Sequence, residues 1–343
     1  MTLLSLSLYR YQIPLGKLLP VGNQRIETRE GLVLQVSTET QQQAVEISPL
    51  SGIDIDEQPI KGFSQESIAE IIQALAESMP SLQGEPIDKL LDIADTTPLA
   101  SLAYGLSLLH AKLNGKLSLY RDSVSCIPLI YRHQDEVAED LQQRVSTLSS
   151  KVHAVKVKVG QTSMEDEIQL IHQILAIRPD LKIRLDANRA FTLEQAIDFC
   201  ACLPLASIEY IEEPCHSPKD NSLLFQATGI SFALDESLND INYQFTMLPG
   251  LTALVLKPML IGHLNRLQQL IEEAQANGVR AIISSSLEAS LGIEALKAIS
   301  LECTPDEIPG LDTLSAFSSD LIASSGKQRC LTIDDLTLIQ QCK

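Results

Sequence analysis

The sequence predicts an α/β protein in which a closed β/α barrel follows a smaller α+β domain at the N-terminus. From about Cys126 onwards, short apolar segments with strand character alternate with amphipathic helical segments. This alternation repeats in one direction every ~22 to 28 residues, which favours a closed barrel over an open sheet. No glycine-rich turn of the dinucleotide-binding or P-loop type follows any predicted strand, which argues against those two α/β classes.

The N-terminal third of the chain has a different pattern, and we place the domain boundary between residues 121 and 122. Residues 1–121 begin with short alternating strands and continue with a helix in which Ile68, Ile71 and Leu75 recur at helical spacing. Residues 14–30 and 51–62 are rich in glycine, proline and charge, so loops are predicted there, either mobile lids or ordinary surface connections. The barrel domain is expected to span residues 122–343, and its C-terminal segment is a candidate to return to the first domain.

Six barrel strands are predicted from apolar runs, at residues 154–159, 183–185, 208–211, 231–234, 253–256 and 281–283. Two helices between these strands carry local signals. Thr192 and Gln195 have the spacing of a capping box at a helix start. The pair Asn277-Gly278 predicts the end of a helix that begins near Leu264.

The composition is acidic, with 44 Asp and Glu against 26 Lys and Arg and a formal net charge of -18. Such a surface repels nucleic acid and anionic membranes, so a small-molecule carboxylate is a more fitting partner than a polyanion. No apolar run is long enough to span a membrane, and the start of the chain lacks the charge order of a secretory signal. Seven cysteines without a C-x-x-C pair predict reduced thiols in a cytoplasmic protein.

Polar or charged residues end each predicted strand, and a barrel gathers the C-terminal ends of its strands around one opening. In chain order these residues are Lys156 and Lys158, Asp186 and Asn188, Glu212 and Glu213, Asp235 and Glu236, Lys257, and then Ser284, Ser285 and Ser286. Any one of these groups alone is more often a solvated turn or an ion pair. Five successive strands that end in an ionisable group reverse that balance and predict a functional site.

Three of these carboxylates, Asp186, Glu212 and Asp235, are predicted to converge in the opening. Their mutual repulsion in one concave site is costly unless a cation neutralises it. Because the set offers oxygen ligands without His or Cys, it favours a hard ion, with Mg²⁺ or Mn²⁺ preferred to Zn²⁺. Glu213 and Glu236 are candidates to hold these ligands through hydrogen bonds.

In strand order, Lys158 and Lys257 lie on either side of the carboxylates, which places a metal-bound substrate between two ammonium groups. This arrangement predicts removal of a proton next to a substrate carboxylate, since such weak carbon acids need charge stabilisation. The lysine that acts as base needs a pKa depressed by desolvation and nearby cations. Lys156 lies on the same strand face as Lys158, and is either a substrate contact or a neighbour that lowers the pKa of Lys158.

The order of the motifs K-x-K, D-x-N, E-E-P, D-E-S and L-K-P resembles the muconate lactonizing subgroup of the enolase superfamily. Within that subgroup, the sequence is most similar to the o-succinylbenzoate synthase family of menaquinone biosynthesis. The segments that carry the resemblance are residues 156–159, 184–188, 212–215, 234–237, 284–288 and 308–314, and in the first domain residues 46–50 and 62–66. Residues 51–61 are a departure from the family, in which the pieces on either side are nearly continuous.

The resemblance implies an enolase-like fold, a (β/α)7β TIM-like barrel with an α+β N-terminal capping domain. It implies a carbon-oxygen lyase that dehydrates 2-succinyl-6-hydroxy-2,4-cyclohexadiene-1-carboxylate to 2-succinylbenzoate. Lys158 would be the base and then the acid, Lys257 the stabilising cation, and the three carboxylates the ligands of Mg²⁺. The residues expected around the substrate are Lys156, Arg184, Asn188, Ser284, Ser286 and Gly310.

Two alternatives remain open from the residues. A dipeptide epimerase or N-acylamino acid racemase shares the two lysines and three carboxylates. Such enzymes usually have a D-x-D pair on the last strand, where this sequence has Gly310-Leu311-Asp312. A non-catalytic barrel that binds a partner would use the charged strand ends as structural ion pairs. We expect a monomer, with a homo-oligomer as the alternative.

Overall fold

The structure, a computed structural model, describes residues 1–21, 24–117, 124–132 and 138–343, without the side chains of residues 17–20 and 138. The predicted domain boundary between residues 121 and 122 lies outside the described residues. None of the helices in the described ranges combines the length and the apolar run that crossing a bilayer requires.

An antiparallel sheet and three helices make up the N-terminal part of the described chain. The strands are β1 (Ser5–Val21), β2 (Gln24–Ser37), β3 (Gln42–Ile47) and β13 (Thr337–Cys342), in the order β13-β1-β2-β3. The helices are α1 (Ile68–Leu82), α2 (Lys89–Thr96) and α3 (Ala100–Leu113). Leu8, Leu34 and Val45 pair across β1, β2 and β3, and all three are buried in the main apolar core. The last strand pairs with the first, so the C-terminal segment returns to this domain.

Helix α3 links the N-terminal sheet to the barrel, and nearly all of its residues are buried. On the sheet side, a Cβ at Gly105 would lie 2.4 Å from Ile47 Cγ1, so only glycine allows α3 to approach β3 this closely. On the barrel side, the hydroxyl of Ser107 accepts a hydrogen bond from the backbone N–H of Leu264 at 3.1 Å. A helix covered on both sides reads as apolar all round, which is how its sequence appears.

The prediction of a loop at residues 14–30 was wrong, because the described part of this segment forms a long hairpin of β1 and β2. Residues Ile13 and Pro14 pair with Arg29 and Thr28 across this hairpin. Proline has no backbone N–H to donate to a neighbouring strand. It is tolerated at Pro14 because the pairing of β1 with β13 ends at Arg10, so β13 needs no donor at this position. The turn-like composition therefore misled the prediction.

Residues 51–62 form turns with one isolated bridge between Ile53 and Pro59, which agrees with the predicted loop. This loop docks on the end of the β1–β2 hairpin. The side-chain amide of Gln24 donates to Asp54 Oδ2 at 2.6 Å and to the Pro59 carbonyl at 2.9 Å. The mobility proposed for this segment stays a prediction.

The second domain is a curled parallel sheet surrounded by helices. Its strands in the described residues are β4 (Leu129–Ile130), β5 (Ala154–Lys158), β6 (Lys182–Asp186), β7 (Ile208–Glu212), β8 (Phe232–Leu234), β9 (Leu251–Leu256) and β10 (Arg280–Ile283). Its helices are α4 (Ala138–Ser146), α5 (Met164–Ile177), α6 (Leu193–Ala201), α7 (Asn221–Thr228), α8 (Pro258–Ile261), α9 (Leu264–Ala276) and α10 (Ser290–Cys303). The strands follow one another in chain order, as in a β/α barrel. A short parallel pair, β11 (Asp320–Leu321) and β12 (Cys330–Leu331), comes after them.

The segment around Gly310 joins the two edges of the parallel sheet. The backbone N–H of Gly310 donates to the Ile283 carbonyl at 2.9 Å, next to the end of β10. On the other side, the N–H of Ile127 donates to the Pro309 carbonyl at 3.0 Å, just before β4. A Cβ at residue 310 would lie 2.9 Å from Ser284 Oγ, so glycine fits this close contact. The barrel is thereby closed at the position of an eighth strand.

The local sequence signals in the barrel are confirmed. The six predicted strands coincide with β5 to β10 to within one or two residues at each end. Thr192 and Gln195 form a capping box at the start of α6, with both reciprocal hydrogen bonds present. Helix α9 begins at Leu264 and ends before Asn277 and Gly278.

Glu288 is a carboxyl group that is completely buried where the barrel meets the N-terminal domain. It accepts hydrogen bonds from the N–H and the hydroxyl of Ser286, at 2.7 and 2.8 Å. Burial raises the pKa of Glu288 to about 7, and the nearby carboxylate of Glu46 adds to the increase. Glu288 is therefore largely protonated below neutral pH.

The raised pKa of Glu288 predicts that the stability of the fold depends on pH. Between the ordinary pKa of 4.5 and the native value of about 7, the folded protein keeps a proton that the unfolded chain loses. Its contribution to the free energy of unfolding is full below pH 4.5 and disappears as the pH rises towards 7, a loss of about 3 kcal/mol. In Glu288→Gln this dependence is absent, so we expect unfolding in urea to vary less between about pH 5 and pH 8 than in the wild type. The exposed substitution Glu194→Gln is the control, and equal pH slopes in wild type and Glu288→Gln would contradict a protonated Glu288.

Candidate active site

Three carboxylates meet at the C-terminal ends of adjacent barrel strands. Asp186 ends β6, Glu212 ends β7 and pairs with it in register, and Asp235 directly follows β8. One oxygen atom from each lies within 4.8 Å of the other two, and the three side chains are 1 to 3% exposed. The convergence predicted from the sequence is confirmed, and this acidic triad could hold a metal ion.

Two oxygen atoms of the triad have no hydrogen-bond partner among the described residues. They are Asp186 Oδ1 and Asp235 Oδ1, and both are buried. A buried carboxylate oxygen without a partner is costly, and coordination to a cation is a common way in which proteins meet that cost. The orphaned atoms and the all-oxygen ligand set therefore fit a hard divalent ion.

Two lysines of β5 face the acidic triad from one side. Lys156 Nζ lies 2.6 Å from Glu212 Oε2 and 3.0 Å from Asp186 Oδ2. Lys158 Nζ lies 3.3 Å from Asp186 Oδ2 and donates to Asn188 Oδ1 at 2.9 Å. The two residues share a strand face, as alternation predicts. Lys156 is the more tightly engaged with the ligands, and Lys158 is oriented by an amide.

Lys257 faces the acidic triad from the other side, at the end of β9. Its Nζ lies 2.6 Å from Asp235 Oδ2 and 5.4 Å from the centre of the Phe63 ring, a cation–π contact with the N-terminal domain. Since β6, β7 and β8 lie between β5 and β9, Lys158 and Lys257 flank the acids as predicted.

The charges shift the pKa values of the acids in different directions. Burial alone would raise the pKa of every acid here. For Asp186 the ammonium groups of Lys156 and Lys158 outweigh burial and hold its pKa below its usual range. For Glu212, burial together with the carboxylates of Asp186 and Asp235 outweighs the single close lysine and raises the pKa to about 7.

The acids that follow two of the ligands hold the site by hydrogen bonds, as the sequence predicts. Glu213 is fully buried and accepts from the backbone N–H of Asp235 at 3.2 Å and from Arg189 Nε at 3.1 Å. Glu236 accepts from the side-chain amide of Asn188 at 2.9 Å. Asn188 thus connects Lys158 to Glu236, and Glu213 fixes the backbone that carries Asp235.

A pocket opens over these groups, and both domains line it. The lining residues are Val21, Leu50, Phe63, Ile127, Leu129, Lys156, Lys158, Asp186, Asn188, Lys257, Ser284, Ser285, Ser286, Leu287, Gly310, Asp312 and Thr313. Lys156, Asn188, Ser284, Ser286 and Gly310, all predicted to surround a substrate, are therefore brought together. The apolar contributions of the N-terminal domain were not predicted. Leu50 and Phe63 lie in segments that carry the family resemblance, but the sequence does not show that these segments contact the pocket across the domain interface.

Arg184 is the one predicted substrate contact that does not line this pocket. Its side chain is 3% exposed, with Nε 2.7 Å from Glu209 Oε2 and the guanidinium 5.6 Å from the centre of the Tyr210 ring. Arg184 precedes Asp186 by two residues, so it points into the barrel on the same face but about 6 to 7 Å deeper. There it joins an ion-pair network with Glu209 and Arg280, below the pocket.

Two family models match the chain. The model described as MenC, N-terminal domain matches residues 3–113, and the model described as Enolase C-terminal domain-like matches residues 136–318. The o-succinylbenzoate synthase of Enterobacter sp. is 36% identical over 92% of each chain. That of Yersinia enterocolitica is 34% identical over 97% of this chain and 98% of its own. The chain belongs to the o-succinylbenzoate synthase family.

Solved structures share the fold of this family member. The o-succinylbenzoate synthase of Thermosynechococcus elongatus, solved with Mg in its active site, has a TM-score of 0.71 and 23% identity, and the match covers 92% of this chain and 94% of that one. The L-Ala-D/L-Glu epimerase of Bacillus subtilis has a TM-score of 0.73 and 19% identity, with 93% and 92% covered. At these identities the likeness concerns the fold, and it confirms the predicted TIM-like barrel with a capping domain.

The acidic triad predicts that a hard divalent ion stabilises the folded protein. Binding to the native state at ~100 times the Kd adds about 2.7 kcal/mol to the free energy of unfolding, so millimolar Mg²⁺ should raise the Tm. Asp235→Asn removes one ligand charge and is expected to abolish most of this increase. Asp198→Asn, an exposed substitution on α6, should leave it unchanged. An undiminished Mg²⁺ effect in Asp235→Asn, measured by calorimetry against EDTA, would contradict metal binding by the triad.

Proposed function

We propose that this protein is an o-succinylbenzoate synthase, which dehydrates 2-succinyl-6-hydroxy-2,4-cyclohexadiene-1-carboxylate to 2-succinylbenzoate in menaquinone biosynthesis. The observation that carries the proposal is the pair Lys158 and Lys257 on either side of the acidic triad, in one pocket. Relatives that are 34 to 36% identical over nearly the full chain are named o-succinylbenzoate synthase.

Magnesium is the ion that we propose for the triad. Three carboxylates without nitrogen or sulfur ligands suit Mg²⁺, with Mn²⁺ as a substitute. The related structure from Thermosynechococcus elongatus was solved with Mg in its active site. Bound by Asp186, Glu212 and Asp235, the ion would supply positive charge next to the substrate carboxylate.

Lys158 is proposed as the general base and then the general acid. Its neutral amine takes the proton from the ring carbon next to the carboxylate, and the electron pair moves towards that carboxylate. The resulting ammonium then gives its proton to the departing hydroxide, which leaves as water from the same face of the ring. Asn188, which accepts a hydrogen bond from Lys158 Nζ at 2.9 Å, would keep this nitrogen aimed during both transfers.

Lys257 is proposed as the cation that stabilises the negative charge from the opposite face. Burial lowers the pKa of this lysine, but the carboxylates of Asp235 and Glu236 outweigh burial, and the net shift is upward. A lysine that stays protonated at neutral pH suits electrostatic stabilisation better than proton abstraction. The proposal therefore gives Lys257 the electrostatic role.

The cytoplasm is the compartment that we propose for the reaction. The seven cysteines are all free thiols in the structure, and none is paired in a disulfide. Unpaired thiols persist most readily in a reducing compartment.

The assay that tests this function follows aromatisation of the cyclohexadiene substrate by its ultraviolet absorbance, with Mg²⁺ present. We expect turnover with this substrate and much less epimerisation of N-acylamino acids or dipeptides. Robust epimerisation without dehydration would support the epimerase alternative. Absence of both activities in protein that binds Mg²⁺ would support a non-catalytic role.

Lys158→Ala separates catalysis from folding. Because the amine moves the proton, we expect kcat to fall by at least ~10³-fold, while the Mg²⁺-dependent rise in Tm is retained. The exposed substitution Lys151→Ala is the matched control and should keep full activity. Near-full activity in Lys158→Ala would refute the proposed base.

A further inference from the structure

Two oppositely charged side chains of the N-terminal sheet are buried against the loop that follows β10. Arg29 lies on β2 and is 3% exposed, and Glu46 lies on β3 and is 2% exposed. The hydrogen bonds that both make reach residues 287–292, the end of the pocket wall and the first turn of α10. Charges buried at a domain interface are costly unless every polar atom is matched, so their partners matter.

Within the described part of the chain, the guanidinium of Arg29 donates only to carbonyl oxygens, that of Glu30 included, and it joins two sides of the pocket. Its Nε donates to the Leu287 carbonyl at 2.8 Å, across the domain interface. Its two Nη atoms donate to the carbonyls of Ser48 at 2.5 Å and Pro49 at 3.0 Å. Leu287 and Leu50, which follows Pro49, both line the pocket. One planar cation therefore holds the barrel loop and the N-terminal loop in a fixed relation.

Leu287, whose carbonyl accepts from Arg29 Nε, has an unusual backbone conformation. Leu287 has a φ of 67°, in the left-handed region that residues with a Cβ seldom adopt. Such a conformation persists only where the surroundings impose it. The hydrogen bond from Arg29 is one such restraint on the loop.

The carboxylate of Glu46 binds the N–H groups on the other side of Leu287. It accepts from the N–H of Ala289 and of Gly292, each at 2.9 Å. The hydroxyls of Tyr11 and Ser48 donate to Glu46 Oε1 at 2.6 and 2.8 Å and orient the carboxylate. A Cβ at residue 292 would lie 2.9 Å from Glu46 Oε2, so glycine leaves the space for this approach.

We infer that Arg29 and Glu46 are positioning residues, which set the shape of the substrate pocket by fixing residues 284–289 from the N-terminal domain. The cation holds a carbonyl before the turn, and the anion holds two N–H groups after it. The inference rests on the proposed function for the identity of the substrate. It adds that Arg29 and Glu46, which are remote from the proton transfer, control how tightly the substrate is bound.

The effect is expected on binding more than on the chemical step. The wall formed by residues 284–287 offers hydroxyl groups, backbone and one leucine, which bind by shape and hydrogen bonds. The lysines and the acidic triad bind one another in the described structure, and the hydrogen bonds of Arg29 and Glu46 go to other groups. A displaced wall therefore weakens substrate contacts while the proton-transfer groups keep their geometry.

The test compares Arg29→Met and Glu46→Gln with wild type, in the Mg²⁺-loaded protein. We expect the Kd of 2-succinylbenzoate, from calorimetry, and the KM of the substrate to rise about tenfold or more, with kcat changed less than about threefold. Arg29→Lys, which can reach the Leu287 carbonyl but lacks the planar fork, should restore part of the affinity. Glu66→Gln is the matched control. Glu66 is also buried, but it accepts its hydrogen bonds from the N–H and the hydroxyl of Ser101, within the N-terminal domain.

Unchanged KM and product Kd in both variants would overturn the inference, as would equal losses of affinity in Glu66→Gln. So would losses of kcat and Mg²⁺ binding as large as the loss of affinity, since they indicate general disruption. If Arg29→Met or Glu46→Gln fails to fold, Tyr11→Phe decides, because it removes one of the two hydroxyls that donate to Glu46 and leaves that of Ser48. It should raise the same Kd by a smaller factor, and no change would count against the inference. Failure of the wild type to dehydrate the substrate refutes the proposed function separately.

Discussion

The concentration of negative charge at one barrel opening is the constraint on which the rest of the site depends. Three carboxylates lie within a few ångströms of each other and are almost completely buried, an arrangement that is unstable without positive charge. Lys156, Lys158 and Lys257 supply part of that charge, and the orphaned oxygens of Asp186 and Asp235 fit a cation that supplies the rest. Each amine is close to a carboxylate because the barrel places their strands side by side.

The barrel separates this chemistry from its own structural ion pairs by depth. Side chains two residues apart on a strand point the same way, so β6 contributes Asp186 at the opening and Arg184 one layer below. The lower layer pairs Arg184 and Arg280 with Glu209 and stacks both cations on Tyr210. Charged side chains in the upper layer thus form the candidate binding site, and those in the layer below form structural ion pairs. Their position along the strand decides which of the two layers they join.

The N-terminal domain contributes shape to a site whose charges come from the barrel. Phe63, Leu50 and Val21 cover the opening, and Phe63 contacts the ammonium of Lys257. The interface itself is polar where it meets the loop after β10, because that loop has carbonyl and N–H groups that must be satisfied once buried. Arg29 and Glu46 satisfy them from neighbouring strands, which makes the first domain part of the pocket as well as its cover.

The sequence by itself determined the barrel strands, the acidic triad and the two flanking lysines, because each depends on periodicity and on the order of strand ends in a parallel barrel. It could not place residues 14–30, where proline and glycine suggested a loop and pairing along β1 and β2 gave a hairpin instead. It placed Arg184 at the substrate, because Arg184 shares a strand face with Asp186, and only the structure shows that the open pocket does not extend one layer deeper, where Arg184 pairs with Glu209. Tertiary structure alone decided the contacts of Phe63, Arg29 and Glu46, because residues hundreds of positions apart meet there through domain packing, which leaves no local pattern in either segment.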